Sequence, residues 1–409
     1  MRISGVLAVP GSGTYSNDDQ AAIGAGATRN GYFYDGPVLT PGYRAIRQPS
    51  EALQVLLLLD DDHVATGAGV SVQYAGGSGR EPVLRADEAR ARWLPRLTEM
   101  LTGTQIGSFR ETSALVADLA MPRSVLYGVS QALLEGAAHA TRRTMAEVVA
   151  SEYGNRDPMA AVPILAQCGE DRRGAIDRMV LRRVDSLPHG LINNADQLVG
   201  PDGKLLLDYV GWVRDRVFER RPDAAYEPVV HIDCYGTLGD VFGSVAEVAA
   251  FIARLADRCA PLPLRIEQPV RADSRELQIG ALRRLREELT RLGSSAWIVA
   301  DEWCNTYEDV VAFLAAGAAD MVQIKMPDVG SLDDTVRAVL ACRDAGVAAY
   351  CGGSCTETDT SARIAANVAI GAGADVLLAR PGMGVDEAVM VTRNEMARTL
   401  ALVENRSRT

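Results

Sequence analysis

The chain has 409 residues, 47% hydrophobic and 23% charged, ordinary values for a folded globular protein and unlike those of a disordered or fibrous one. Its 42 basic and 53 acidic side chains leave a net charge of −11, which repels phosphate backbones and argues against nucleic acid as a partner. The longest pure aliphatic run, residues 55–59, is far shorter than the ~18 apolar residues of a membrane span, so no membrane partner is expected.

The N-terminal MRISGVLAVPGSG carries one Arg and a short apolar patch, and reads as a first strand rather than a signal peptide. Further β-like runs follow in ALQVLLLLD and HVATGAGVSV, with helical patterns over 88–101 and 123–142. After the first run comes GSGTYSNDDQAAIGAGATRNGYFYDGP, polar and Gly-rich. It has little apolar surface to bury, so an exposed loop is expected, and its functional reading is a lid over a site. The 7 cysteines are scattered and odd in number, which predicts reduced thiols and a cytoplasmic protein.

From about residue 160 the pattern changes to eight short β-runs separated by helix-length segments. The runs are AAVPILAQC (160–168), a stretch ending near His189, PVVHIDCYG (228–236), LRIEQP (264–269), AWIVADEWC (296–304), MVQIKMP (321–327), VAAYCGGSC (347–355) and DVLLARPG (375–382). Several helical segments end in the Gly expected just past a helix. Eight such repeats predict an α/β fold, a parallel (β/α)8 barrel. An open doubly wound sheet is the alternative, but no G-x-G-x-x-G follows the first run.

In such a barrel the active site forms where the strands end. Three successive runs end in an acid: Asp233 in HID, Glu267 in RIE and Asp301 in VADE, each 34 residues from the next. Alternation puts His231 with Asp233, Arg265 with Glu267 and Gln323 with Lys325, opposite Ile232, Ile266 and Ile324. Three converging carboxylates repel one another, so a divalent cation is their natural occupant; the alternative is pairing with local Arg or helix N-termini. All-oxygen ligation suits Mg2+ or Mn2+ rather than zinc. The same alternation sends Glu302 to the other face and out of the site. His231, one layer deeper, reads as a core histidine, and Arg265 as neutralising neighbouring acids.

The basic residues add a second clue, because 40 of them are Arg and 2 are Lys. Arg stays protonated, whereas a buried Lys can lose its proton and act as a base. Lys204, in PDGKLLLDYV, reads as a solvated charge. Lys325, inside the apolar run MVQIKMP, reads as chemical, with a structural ion pair as the alternative.

The segments LPHGLINN (187–194), HIDCYGT (231–237), ADEWCNT (300–306), VQIKMPD (322–328), YCGGSC (350–355) and RPGMGVDE (380–387) occur in order. With SVQYAG (71–76), the Tyr- and Asp-rich loop near 15–36 and NEMARTLALV, they make the chain resemble the methylaspartate ammonia-lyases of the enolase superfamily over essentially its whole length. The resemblance implies an enolase-like architecture: an N-terminal α+β capping domain over 1–158 and a TIM-like catalytic barrel over 159–409, assembled as a homodimer. It implies a carbon–nitrogen lyase that reversibly eliminates ammonia from threo-3-methylaspartate to give mesaconate, with Mg2+ as cofactor. A monovalent cation such as K+ is a further candidate. Carried over by motif, Asp233, Glu267 and Asp301 are the metal ligands and Lys325 the base that takes the C3 proton. His189 stands on the opposite face of that carbon. Gln167, Gln323, Ser354 and Cys355 hold the substrate's carboxylates and amino group, while Gln73 and Leu378 line the pocket. Where the family usually has Thr this chain has Ser354, which keeps the hydroxyl and loosens the packing.

The chemistry supplies its own reasons for these types. Taking a proton beside a carboxylate builds a dianionic enolate, whose charge a bound cation offsets. Lys325 must be neutral to act, and burial beside a cation lowers its pKa. Cys355 has no base beside it and reads as a pocket contact, and His63 and His139 read as structural. Relatives with a Lys-x-Lys pair on the second strand, or a His on the seventh, are excluded by the residues present. The remaining alternatives are a related lyase or racemase acting on an amino dicarboxylate, a Schiff-base aldolase on Lys325, and a non-catalytic binding barrel.

Overall fold

The computed structural model describes residues 1–382 and 384–408; Met383, within the RPGMGVDE segment, and Thr409 lie outside the described residues. The first part holds β1 (Ile3–Asp18), β2 (Thr28–Asn30), β3 (Phe33–Asp35), β4 (Arg47–Leu59) and β5 (Val64–Val70). Strands β1, β4 and β5 form an antiparallel sheet in that order, and β2 pairs with β3. Alternation along β4 buries Leu53, Val55, Leu57 and Leu59, and the helix Arg123–Thr141 packs across this sheet. A Cβ on Gly67 would stand 2.0 Å from Gly128 O, and one on Gly69 2.2 Å from Ser124 O. Those glycines let helix backbone and strand touch directly.

The polar segment after the first run is only partly the exposed loop its composition predicts. Strand β1 runs on through it to Asp18, and the helix Gln20–Gly24 and the β2–β3 hairpin follow. Asn17, Asp18 and Asp19 are buried. They are solvated by the protein instead of water: Arg47 donates to Asp18, and the Thr40 backbone and hydroxyl donate to Asp19.

Each of the eight later runs supplies one strand: β6 (Ile164–Leu165), β7 (Ser186–Leu191), β8 (Val229–Asp233), β9 (Leu264–Glu267), β10 (Trp297–Ala300), β11 (Met321–Lys325), β12 (Ala348–Gly352) and β13 (Val376–Leu378). They pair in parallel and in sequence, and β13 closes on β6 to complete the barrel. Ile232, Ile266, Ile298 and Ile324 are fully buried in the large core that the outer helices share with the barrel. Leu165, Val299, Met321, Tyr350, Val376 and Leu378 form a separate cluster. The outer helices earn their places by amphipathic spacing: Val248, Phe251, Ile252 and Leu255 are buried along Val245–Cys259, which Ser244 caps. A recurrent device pins the register. Asp185, Asp320 and Asp375 each accept a backbone N–H from the preceding strand, at Ile164, Ile298 and Ala349, at 2.8, 2.8 and 2.7 Å. All seven cysteines are free and buried.

Candidate active site

Strands β7 to β11 deliver the expected side chains to one end of the barrel. Asp233, Glu267 and Lys325 are the last residues of β8, β9 and β11, and Asp301 follows directly on β10. All three carboxylates are buried. His189, in β7, takes a left-handed φ of +64° where the β7–β8 register slips. A non-glycine residue held there is a strained position of the kind found at functional sites.

The structure groups these residues unevenly. His189 Nε2 lies 3.6 Å from both Asp233 Oδ2 and Glu267 Oε2. Ligand atoms of these three residues all fall within 4.8 Å of one another. Asp301 is held elsewhere: its Oδ1 is 2.8 Å from Lys325 Nζ, and its Oδ2 accepts from the same amine at 2.9 Å. Two of the three expected metal ligands thus cluster with His189, and the third pairs with the expected base.

Charge follows from that geometry. Burial pushes the Asp233 and Glu267 carboxyls well above the usual range, and the neighbouring acids reinforce it. Burial pushes Asp301 up as well, but Lys325 and Arg80 beside it more than reverse the effect. For Lys325 burial and Arg80 both favour the neutral amine, as expected. Asp301, Glu302 and Asp328 outweigh them and hold it above its ordinary value, contrary to the expected lowering. His189 is drawn down to about 4 by burial and by Lys325, so it is a neutral imidazole at pH 7.

One cavity joins the site. Lys325, His189 and Asp233 line it, and so do Gln73, Gln167, Gln323, Ser354, Cys355 and Leu378, every substrate contact expected from the sequence. The Ser354 Oγ accepts from the Gln73 and Thr356 backbone N–H groups at 3.0 and 3.4 Å, which leaves its proton free to donate. The Cys355 thiol is pushed up by burial, which disfavours the thiolate that a nucleophile needs, and it donates to Gln73 Oε1 at 3.5 Å.

Several neighbours escape sequence reasoning. Arg80 is buried and reaches Asp301, Glu302 and Asp328 at 3.2, 3.4 and 2.8 Å. The expectation for Glu302 is corrected: β10 ends at Ala300, alternation lapses, and Glu302 turns inward to Arg80 with Oε2 unpartnered. His231 is buried as expected, and its Nε2 is 2.6 Å from Glu267 Oε2, so it also positions that acid. The acid that acts on the Arg265 charge is Asp375. Arg265 stacks over Trp297 at 5.4 Å, its buried Nη1 without a partner. Behind the 352–355 loop, buried Glu357 accepts from Arg380 Nη1, Tyr127 and the Ser354 N–H at 3.0, 2.8 and 3.0 Å. A buried Arg or Glu in a linear sequence gives no sign of its partner, and Arg80 in GGSGREP and Glu357 in SCTETDT stand in polar stretches that give no sign of burial either.

Family models described as Methylaspartate ammonia-lyase N-terminus and Methylaspartate ammonia-lyase C-terminus match residues 1–154 and 158–405. Methylaspartate ammonia-lyase 1 of Carboxydothermus hydrogenoformans is 45% identical over 411 residues, 99% of this chain and 97% of that protein. The Mg complex of Clostridium tetanomorphum β-methylaspartase is 41% identical at a TM-score of 0.92, covering 99% of this chain and 100% of that one. The Citrobacter amalonaticus enzyme containing (2S,3S)-3-methylaspartic acid is 41% identical at a TM-score of 0.95, with the same coverage. Muconate lactonizing enzyme from Pseudomonas putida, 16% identical at a TM-score of 0.61 over 90% of this chain and 85% of that one, shares the fold alone. The chain belongs to the methylaspartate ammonia-lyase family of carbon–nitrogen lyases.

Proposed function

We propose that this chain eliminates ammonia from threo-3-methylaspartate to give mesaconate, reversibly and with Mg2+, in the cavity at the barrel mouth. The relatives' names and the Mg- and methylaspartate-containing structures support the reading. The observation that carries it is that Lys325, His189 and Asp233 line one cavity, with Lys325 Nζ paired to Asp301 and the other two grouped with Glu267. An amine and a cluster of repelling acids have no reason to share a cavity in a binding barrel.

The donor set fits the metal. Asp233, Glu267 and Asp301 offer only oxygens; burial and then mutual repulsion push two of them up, and a divalent cation would relieve that repulsion. A cation held by these three supplies positive charge against that which builds on the substrate's carboxylate as the C3 proton leaves. The chain's own groups do the rest. Lys325 Nζ takes the C3 proton of the (2S,3S) substrate; a cation held by Asp301 would offset the acid that keeps the amine charged, leaving burial and Arg80 to favour its neutral form. The C2–N bond then breaks, its electron pair leaving with nitrogen as ammonia while the C2=C3 bond forms. His189, neutral, serves as base on the opposite face of C3. Gln167, Gln323, Ser354 and Cys355 orient the carboxylates and amino group, and Leu378 bounds the methyl side.

This reading treats 1–158 as a capping domain and 159–409 as the catalytic barrel of a cytoplasmic homodimer. No helix among the described residues is long and apolar enough to cross a membrane. The test is direct: purified chain given 3-methylaspartate and Mg2+ shows rising mesaconate absorbance, which chelation stops and Mg2+ restores. No product from either diastereomer overturns the reaction, and full activity after exhaustive chelation overturns the metal role.

A further inference from the structure

Gln73 reaches the cavity from the first part of the chain, and its side-chain amide is pinned at the nitrogen. Gln73 Nε2 donates to Asp18 Oδ2 at 3.2 Å. Asp18 is itself buried and already accepts from Arg47 Nε and Nη2 at 2.9 and 2.7 Å and from Ser16 Oγ at 2.9 Å. A carboxylate facing two guanidinium donors can only accept, so the Gln73 atom beside it is the nitrogen. The carbonyl oxygen is thereby turned toward Cys355 Sγ and the cavity that both residues line. Arg47 in turn cannot leave Asp18 easily. It lies over the rings of Tyr32 and Tyr34, 4.7 and 4.9 Å from their centroids, and donates to Tyr32 O at 3.1 Å.

We propose that Asp18 is a positioning residue for amine recognition: by holding the Gln73 nitrogen, it forces an acceptor oxygen onto the substrate's ammonium group. The inference rests on the proposed ammonia-lyase reaction. An amide free to flip would present its NH2 to a cation half of the time, and a donor facing a donor repels it. The Asp18–Arg47 lock removes that choice before substrate arrives, which is preorganisation rather than an added contact.

The experiment is an exchange of the pair, read in the addition direction with mesaconate and ammonium. Asp18→Asn is isosteric. Asp18 Oδ1 takes Arg47 Nε and the Ser16 hydroxyl, while Oδ2 takes Arg47 Nη2 and Gln73. An Asn that keeps its oxygen in the Oδ1 place sets its NH2 against Gln73 and turns the Gln73 NH2 into the cavity, at the loss of the Arg47 Nη2 bond. The KM for ammonium should rise roughly 10- to 100-fold, the worth of one hydrogen bond to a charged group, while the KM for mesaconate stays within about 3-fold. The double variant Asp18→Asn with Gln73→Glu restores an acceptor in the cavity and should bring the ammonium KM back to the parent value or below it. A merely structural Asp18 gives the opposite pattern: both KM values and the melting temperature move together, and the double variant does not recover. That pattern, or an unchanged ammonium KM in Asp18→Asn, overturns the inference. If the single variant does not fold, the double variant decides alone, and an ammonium KM raised tenfold or more in it is contradictory. A parent chain that cannot add ammonium to mesaconate removes the underlying reaction, an outcome distinct from an active parent with an indifferent Asp18.

Discussion

Lys325 Nζ sits 2.8 Å from Asp301 Oδ1 and 2.9 Å from Oδ2, so one carboxylate grips the amine with both oxygens. A plain ion pair at that position tolerates Arg, which this chain uses for almost every other positive charge. A base does not, because a guanidinium cannot be deprotonated at working pH. Lys325→Arg should therefore lose roughly 10²- to 10⁴-fold in kcat on the (2S,3S) substrate with the fold retained. Activity within a few-fold of the parent would make Lys325 structural.

Glu267 is fully buried beside Asp233 and accepts from His231 and Gln323. Its carboxyl is pushed well up by burial and then by Asp233 and Asp301, so the charged form is costly to the fold. Glu267→Gln removes that repulsion along with a ligand. The variant should melt no lower than the parent in chelator, yet lose the rise in melting temperature that Mg2+ gives the parent. A full Mg2+-dependent rise in the variant would place the cation elsewhere.

Glu357 is the sole carboxylate paired with the fully buried Arg380 among the described residues, and it also holds the Ser354 N–H. Glu357→Gln leaves a buried guanidinium without its counter-charge, a change that typically costs ~3–5 kcal/mol. Chemical denaturation should show a loss of that size, with activity falling further as the 352–355 loop loosens. A loss below ~1 kcal/mol would mean that water or another group already satisfies Arg380.

Asp19 accepts from the backbone N–H groups of Leu39, Thr40 and Ala22 and from the Thr40 hydroxyl. Burial pushes its carboxyl up, but these donors together hold it below its ordinary value of 3.8. A folded-state value below the unfolded one means stability that is present above pH ~4 and lost as pH falls through the folded value. Asp19→Asn, which keeps one acceptor oxygen, should cost ~1–3 kcal/mol at pH 7. That difference should shrink as pH is lowered through 4 and below. A gap that stays constant from pH 7 to 3 would show that the charge of Asp19 contributes nothing.

What the sequence disclosed and what it hid divide along a physical line. The barrel strands and Asp233, Glu267 and Lys325 were legible because alternation is a local rule and each side chain lies on a strand. Asp301 lies one residue past its strand and was legible from the run that ends in it. Glu302 was misread at the next position, where the strand had ended and Trp303 takes a φ of +66°. Arg80 and Asp18 were hidden because their partners are distant in the chain: Arg80 meets Asp301 across 221 residues, and Gln73 meets Asp18 across 55. The segment after the first run was read from its composition as exposed. Its buried acids are instead satisfied by Arg47, Thr40 and Gln73, a solution that composition does not display.

The central claim is that Lys325 and His189 are opposed bases serving one carbon, and each must lie within ~3 Å of the proton it removes. The measurement is the activity of Lys325→Ala and His189→Ala on the separate (2S,3S) and (2S,3R) diastereomers. Lys325→Ala should suppress the (2S,3S) reaction more, and His189→Ala the (2S,3R) reaction more, with some loss on both for His189 because it adjoins Asp233 and Glu267. Equal fold-losses for the two diastereomers in both variants would contradict it.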